Sequence, residues 1–593
     1  MKNINMTSYQ APLKEINFVL NSVAEVGKVY KVEKFQECNS ELVSSILDEA
    51  NKFASDILAP LNTVGDLIGT KIVENHVRET SGFSEAYQKF IENGWTSLPC
   101  DPEYGGMGLP ETVGIAAMEM WSSANVSFAL CPMLGQGAIE ALSSHASEEL
   151  RQRYLEKMIT GEWTGTMNLT ESQAGSDLGV IKTSATQQAD HYLIKGTKIF
   201  ITWGDHQMTN NIVHLVLARI KDAPAGVRGI SLFLVPKFLS NDDGSQGKHN
   251  DVYAISVEHK MGIHGSPTCV MSYGENSDGA IGYLVGEENM GLSYMFTMMN
   301  NARLNVGVQG LALSERAYQH AVSYAKHRVQ GNAPEQANAG PIIKHPDVKR
   351  MLMLMRSLTE GSRALCYLTA VNFDLGHAED DAALARAELL TPIAKAWSTE
   401  VSQEVTSLGV QVHGGMGYIE ETGAAQFMRD ARITTIYEGT TGIQANDFIG
   451  RKVSRNQGLE LKRLICEMKE SSEVAMNKSE PGDYQHDFSK VLNASISQLE
   501  DTMEWILAND SPTSTSTAAY NFLMGAGTCI VAWLFLKSAT VAASSFDEDP
   551  DFYKAKITTC RFYFGHVLPR ASAHFEAARM GSDKGLMLEE DLF

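Results

Sequence analysis

Three segments of this 593-residue chain gather small and polar residues in patterns that could serve chemistry. The first, MNLTESQAGSDLG (167–179), sets Thr170, Ser176 and Asp177 beside Gly175 and Gly179, so hydroxyl and backbone donors could approach a flat heterocycle closely. A plain β-hairpin or helix-cap turn would share that composition. The second, KIFITWGDH (198–206), reads as a strand ending in Thr202 and Trp203. It could supply one hydroxyl and an aromatic wall, or be an edge strand with a turn at Gly204. The third, RDARITTIYEGTTGIQANDFIGRK (429–452), places a lone Glu438 among Ile436, Tyr437, Gly439 and Ile443. A carboxyl in apolar surroundings has a raised pKa and suits proton abstraction near neutral pH. Gly439 beside it lets another molecule reach the backbone, although taken alone the same Glu could be a solvated loop acid.

Other chemistries leave no trace. The chain has no G-x-x-x-x-G-K-[ST], G-x-S-x-G or H-E-x-x-H. The glycine cluster HGGMG (413–417) lacks Rossmann spacing and follows a helical segment where a strand would be required. With 49 Lys plus Arg against 71 Asp plus Glu, the net charge of −22 argues against a nucleic-acid binder, yet local Arg and backbone N–H groups could still hold an anion. Eight Cys without a C-x-x-C or a close pair exclude a zinc ribbon or redox dithiol and fit buried thiols in a reducing compartment; no metal site is expected. MKNINMTSYQ has neither the pattern of a signal peptide nor that of a transit peptide, so the expectation is a cytoplasmic protein.

The elements that must carry these segments follow from periodicity. Residues 1–160 read as helical: ELVSSILDEANKFASDILAP shows a stripe of Leu42, Ile46, Phe53 and Ile57 with a stop at Pro60, and EELRQRYLEKMITG stops at Gly161. DPEYGGMGLP (101–110) is a loop between helices. From Trp163 short β-branched and aromatic runs appear, such as HYLIKGTKIFIT and RGISLFLVPK, and from about Leu292 the helical period returns, with Val308, Leu311, Tyr318, Val322 and Ala325 forming one stripe. NKSEPGDYQHD (477–487) looks like a linker or exposed loop, followed by more helix. The uncharged stretch Ser511–Leu536 is expected to be a buried bundle helix in preference to a membrane-surface helix or a span, because a polar SPTSTST run opens it and Gly525 and Gly527 interrupt it. The Met-rich runs MFTMMN and MLMLM read as core more readily than as an adaptable pocket.

The fold class is therefore mainly α with an inserted β domain. The expected divisions are an N-terminal extension (1–35), a helical N-terminal domain (36–162), a middle β domain (163–285), a C-terminal helical bundle (286–454) and an additional helical domain (455–593). That last region holds 13 basic and 20 acidic residues, so it is no basic arm.

Four strings in order, LTESQAGSD, KIFIT, NNARLNVG (300–307) and IYEGTTGIQ (436–444), resemble the acyl-CoA dehydrogenase family over about 80–450. TSYQAPLKEINFVLNSV (7–23) and the long tail resemble its larger subgroup, which includes 3-(methylthio)propanoyl-CoA dehydrogenases. The resemblance implies a helical N-domain, a β-barrel or sandwich and a four-helix bundle, with FAD at the junction of the β domain and the C-terminal helices. By similarity, Thr170 meets the isoalloxazine edge, and Phe200, Ile201 and Thr202 line the flavin, Phe200 standing where many relatives carry Trp and Thr202 at N5. Arg328 resembles the Arg that reaches the FAD pyrophosphate of a neighbouring subunit. Gln411, Gly414 and Gly415 line the adenosine, also across the subunit boundary, and Thr440 meets the cofactor just after the base. Ser176, Arg303, Glu438 and Gly439 match positions that contact the acyl-CoA. Relatives carry the base in the YEG motif or immediately before the Arg near 300; the second place here is Ala302, leaving Glu438. Gly442 stands where relatives often carry Gln.

The activity so implied is α,β-dehydrogenation of an acyl-CoA to the 2-enoyl-CoA, as in fatty acid β-oxidation, with electrons passed to an electron-transfer flavoprotein. The alternatives are 3-(methylthio)propanoyl-CoA oxidation in sulfur-compound degradation, or an acyl-CoA oxidase. A homodimer or homotetramer is expected, with no nucleic-acid partner and no membrane span, peripheral membrane contact being left open.

Overall fold

The computed structural model describes every residue except 1–7, 242, 335, 510 and 583–587. The N-terminal stretch read for a leader, and the first residue of the 7–23 resemblance, therefore fall in part outside the described residues. Two compact units emerge, Met1–Asp48 with Arg303–Phe593, and Glu49–Ala302.

The unit Glu49–Ala302 joins helices to an eight-stranded sheet. Neighbour by neighbour the sheet runs Val252–Val257, Thr268–Tyr273, Tyr192–Thr202, Ala280–Leu284, Ser231–Pro236, Asn211–Ile220 and Trp163–Asn168; Ser184–Gln187 pairs with both Tyr192–Thr202 and Asn211–Ile220. Ile194, Ile201, Val216, Phe233, Met271 and Tyr273 fill its core. The loop 101–110 lies between the helices Phe83–Glu92 and Glu111–His145, and the next helix, Glu148–Ile159, ends before Gly161, whose φ of +80° only glycine adopts at little cost.

Three expectations for the N-terminal half need correction. Pro60 does not stop a helix. The chain passes from Ser40–Phe53 through one π-helical turn into Ala59–Ile68, where Pro60 lies in the first turn and its missing N–H is not needed; Gly69 ends the run. Of the expected stripe Phe53 is buried and Ile46 and Ile57 are half-buried, but Leu42 is exposed; Val43, Leu47, Ala50 and Ala54 form the rest of the buried face. The stretch 1–160 also contains a hairpin, Lys71–Val73 with His76–Arg78. Val77 packs into the core of the large sheet and its N–H donates to Asp205 Oδ2 at 3.0 Å.

The other unit is helical. Its bundle consists of Gly291–His327, which continues from the other unit, with Pro346–Gly376 and Asp381–His413; the tail adds Leu459–Asn477, Tyr484–Leu507, Pro512–Ser544, Pro550–Phe562 and Pro569–Arg579. The segment 477–487 is only a turn between helices that end at Asn477 and resume at Tyr484. Pro512–Ser544 is covered by its neighbours, as the bundle-helix reading expects, and small residues fit it into place. A Cβ on Gly361 would lie 2.6 Å from Val531 Cγ1, and one on Gly527 would lie 2.7 Å from the Trp397 ring. The Trp397 indole N–H donates to Thr528 Oγ1 at 3.1 Å. Met295, Met298 and Met355 are core. All eight thiols are free, but Cys466 is exposed on a solvent-facing helix side, which corrects the expectation that all are buried.

Candidate active site

The candidate residues fall into two groups, one in each unit. In Glu49–Ala302 the loop after Trp163–Asn168 is built around Glu171, whose carboxylate accepts from Lys182 N–H, Thr183 N–H, Thr183 Oγ1 and Lys198 Nζ at 2.6–3.0 Å. Burial alone would raise its pKa, but Lys198 and these hydrogen bonds hold it down to about 2. The Ile199 N–H donates to Thr170 O at 2.9 Å, tying this loop to the strand Tyr192–Thr202. Where that strand pairs with Thr268–Tyr273 the register shifts, and Phe200 adopts φ +61° at the irregularity. The bulge turns the Phe200 ring out of the sheet, 59% exposed, while Ile201 stays in the core. A large apolar ring held outward by strained backbone is the kind of local cost that persists at ligand sites.

Thr170 and Thr202 are partly exposed, and among the described residues their hydroxyls have no intramolecular partner. An outward aromatic face with free hydroxyls nearby fits a flat heterocycle with a polar edge. Ser176 is exposed on the same loop, where Asp177 accepts from Gly179 N–H. Trp203 corrects the expectation of an aromatic wall. It is buried, stacks on Phe83 and donates its indole N–H to Ser127 O at 3.1 Å.

In the helical unit, Glu438 and Gly439 are consecutive left-handed residues, φ +57° and +85°. Gln444 Nε2 donates to Glu438 O at 3.0 Å and Lys395 Nζ to Gly439 O at 2.8 Å. Thr440 caps the helix Thr441–Asn446 by accepting from Ile443 N–H, and Thr441 Oγ1 donates to Glu400 at 2.6 Å. The preceding Tyr437 donates to Gln309. This fixes the turn on both sides while the Glu438 N–H, among the described residues, makes no hydrogen bond. Burial pushes the Glu438 carboxyl up to about 7, against the pull of Arg303 and Lys395. Arg303 is itself buried, with Nη1 3.4 Å from Asp447 Oδ2. The result is a carboxyl near half-ionisation at neutral pH, next to an unused backbone donor, with two buried cations supplying positive field.

Arg328, Gln411, Gly414 and Gly415 lie elsewhere in the same unit. His320 stacks on His413 and the Tyr324 ring lies tilted against it, with centroids 4.6 and 4.3 Å away, which sets the end of Gly291–His327, just before Arg328, beside the end of Asp381–His413. Arg328, Gln411, Gly414 and Gly415 are exposed there, and a Cβ on either glycine would meet nothing within 4 Å.

Sequence reasoning missed Lys395, Gln444, Asp447 and Glu171. Lys395 left a readable signal, a single charge within the apolar run LLTPIAKAW; the others left none, because their partners are set by folding.

Models of the acyl-CoA dehydrogenase N-terminal, middle and C-terminal domains match residues 44–162, 166–275 and 289–453, and a model described as acetyl-CoA dehydrogenase C-terminal like matches 466–589. The chain belongs to the acyl-CoA dehydrogenase family, whose members are FAD-dependent oxidoreductases. Among its relatives, the 3-methylmercaptopropionyl-CoA dehydrogenase of Ruegeria pomeroyi is 46% identical over 95% of this chain and 97% of that one. A butyryl-CoA dehydrogenase of Syntrophomonas wolfei is 34% identical over 99% of both chains. The structure of Caenorhabditis elegans ACDH-11 in complex with C11-CoA covers 99% of this chain and 98% of its own at a TM-score of 0.76, a likeness of fold at 19% identity.

Proposed function

We propose that this acyl-CoA dehydrogenase acts on short acyl-CoA thioesters, 3-(methylthio)propanoyl-CoA foremost, with Glu438 as the base. The observation that carries the base is a carboxyl at about 7 on a clamped turn beside a free backbone N–H. The substrate reading rests on the full-length likeness to the Ruegeria pomeroyi and Syntrophomonas wolfei enzymes, both named for short acyl groups.

Thr170, Phe200, Ile201 and Thr202 would meet the flavin, and Thr440 would meet the cofactor just after the base; Arg328, Gln411, Gly414 and Gly415 would reach the FAD of a neighbouring subunit, and Ser176, Arg303 and Gly439 would face the acyl-CoA. FAD bound there would supply the acceptor for the β-hydride. Glu438 takes the α-proton, which is acidic only while the thioester oxygen is stabilised. Its own backbone N–H is the protein donor for that oxygen, a kind of contact that contributes roughly 3–4 kcal/mol. Arg303 and Lys395 keep enough of the carboxyl ionised to work near neutrality. A homo-oligomer in the cytoplasm that delivers electrons to an electron-transfer flavoprotein completes the reading.

Two measurements test it. An anaerobic panel of acyl-CoAs of differing length and branching, followed by flavin absorbance, should show fastest bleaching with 3-(methylthio)propanoyl-CoA or butyryl-CoA; preference for long or branched chains would refute the substrate assignment. The base must be ionised to act, so the bleaching rate should rise with pH through a midpoint near 7 and then level off. A profile already flat from pH 5 upward contradicts a raised carboxyl pKa.

A further inference from the structure

A buried amine lies under the turn that carries the base. Lys395 sits in the middle of Asp381–His413 with no exposure, and its Nζ donates to Gly439 O at 2.8 Å. The turn it holds contains two successive left-handed residues, and the first is not glycine; such backbone costs about 1–3 kcal/mol and persists only when its surroundings over-determine it. The over-determination is visible. Gln444 holds the Glu438 carbonyl, Lys395 holds the Gly439 carbonyl, and a Cβ on Gly439 would lie 2.7 Å from Gln444 Nε2, so neither peptide can rotate without losing a clamp.

Of the two clamps only Lys395 carries charge. The ionisable groups acting on it are Glu438, Glu400 and Arg303, with Asp447 behind Arg303. Burial lowers its pKa to about 8 against the two carboxylates, which leaves it mostly protonated at neutral pH. We propose that Lys395 is a positioning residue for proton abstraction: its ammonium pins the Gly439 carbonyl, fixing the direction of the Glu438 side chain and backbone N–H, and places a positive charge beside the base. The inference rests on the reading of Glu438 as that base. It accounts for the buried charge in the middle of the run LLTPIAKAW, since an ammonium there is costly unless it is paired and hydrogen-bonded.

The test uses the FAD-loaded holoenzyme. Lys395→Met, similar in length but uncharged, should retain flavin and acyl-CoA binding, with KM within threefold. Its rate of anaerobic flavin bleaching should fall about 100-fold, the size expected when a reacting group shifts by about 1 Å. The pH midpoint should also move upward from the parent's value, because removing a neighbouring cation favours the protonated carboxyl. Gln444→Met removes the uncharged clamp, and should slow bleaching while leaving the midpoint in place. Lys395→Arg keeps the charge but not the single-point reach, and should keep the parent midpoint with a rate at least tenfold reduced; this variant decides alone if the Met variant does not fold. Parent-like rate and midpoint in Lys395→Met, or parent-like rate in Lys395→Arg, would overturn the proposal. Failure of the base assignment shows separately, as bleaching that survives in Glu438→Gln whatever the lysine variants do.

Discussion

Replacing Glu438 by glutamine is expected to give a folded, yellow protein whose flavin acyl-CoA no longer bleaches. Gln keeps the size of the side chain and leaves the turn's clamps untouched, since both grip backbone carbonyls, so FAD and acyl-CoA should bind as before. What disappears is the only proton acceptor placed on that turn; at the other position used by relatives stands Ala302, which cannot substitute. A lost general base costs up to about 10⁴-fold in rate, and stopped-flow absorbance under nitrogen reads it directly. Bleaching within tenfold of the parent would show that another group removes the proton. The same variant should differ in stability with a definite sign. Glu438 has its folded pKa raised, so its ionisation opposes folding increasingly as pH climbs from the unfolded carboxylate value to about 7. Glu438→Gln should therefore melt higher than the parent above pH 7, and the gain should vanish below about pH 4.

The second large effect is structural. Lys556, on the tail helix Pro550–Phe562, is buried with Nζ 2.5 Å from Glu15 Oε1 and 2.6 Å from Glu360 Oε2, and Arg356 binds Glu360 from the other side at 2.6 Å. One ammonium thus joins the short helix Leu13–Phe18, the bundle and the tail. Lys556→Ala would leave two carboxylates facing each other in a dry site, a loss of about 3–5 kcal/mol. Denaturant unfolding measures it, and limited proteolysis should show the tail helices released first. A change below about 0.5 kcal/mol would mean that water already reaches the cluster. Acid should weaken the link with opposing contributions. Burial would raise Glu360, but Lys556 and Arg356 hold it at about 2, so its support is complete above the unfolded carboxylate value and fades as pH falls toward 2. Glu15 is shifted upward by burial and by Glu360, and offsets part of that loss. The double variant Lys556→Met with Glu15→Gln should recover much of the stability, because it leaves only Glu360, still paired with Arg356.

How far the sequence revealed this follows from how local each feature is. Glu438 was legible because its apolar neighbours and Gly439 are adjacent in the chain, and short β-branched and aromatic runs placed a β domain over 163–285, where the strands run from Trp163 to Leu284. Local rules misjudged Pro60, because a proline early in a helix and one that ends it look alike without the following turn. Trp203 sits three residues after an outward ring and was given the same role, yet a left-handed φ of +53° sends it into the core against Phe83. Lys395, Gln444, Glu171 and Lys556 act through partners brought to them by the fold. Their roles belong to three-dimensional proximity, and composition alone shows only that a charge is oddly placed.

The notches at Gly361 and Gly527 mean that the tail cannot be treated as an accessory. A protein engineer who cut the chain near residue 455 to obtain a minimal catalyst would uncover the Trp397 face and a glycine trough shaped for Val531, and should recover inclusion bodies instead of enzyme. Restoring solubility to such a fragment would require refilling the trough and making its new surface polar, which amounts to redesigning the bundle.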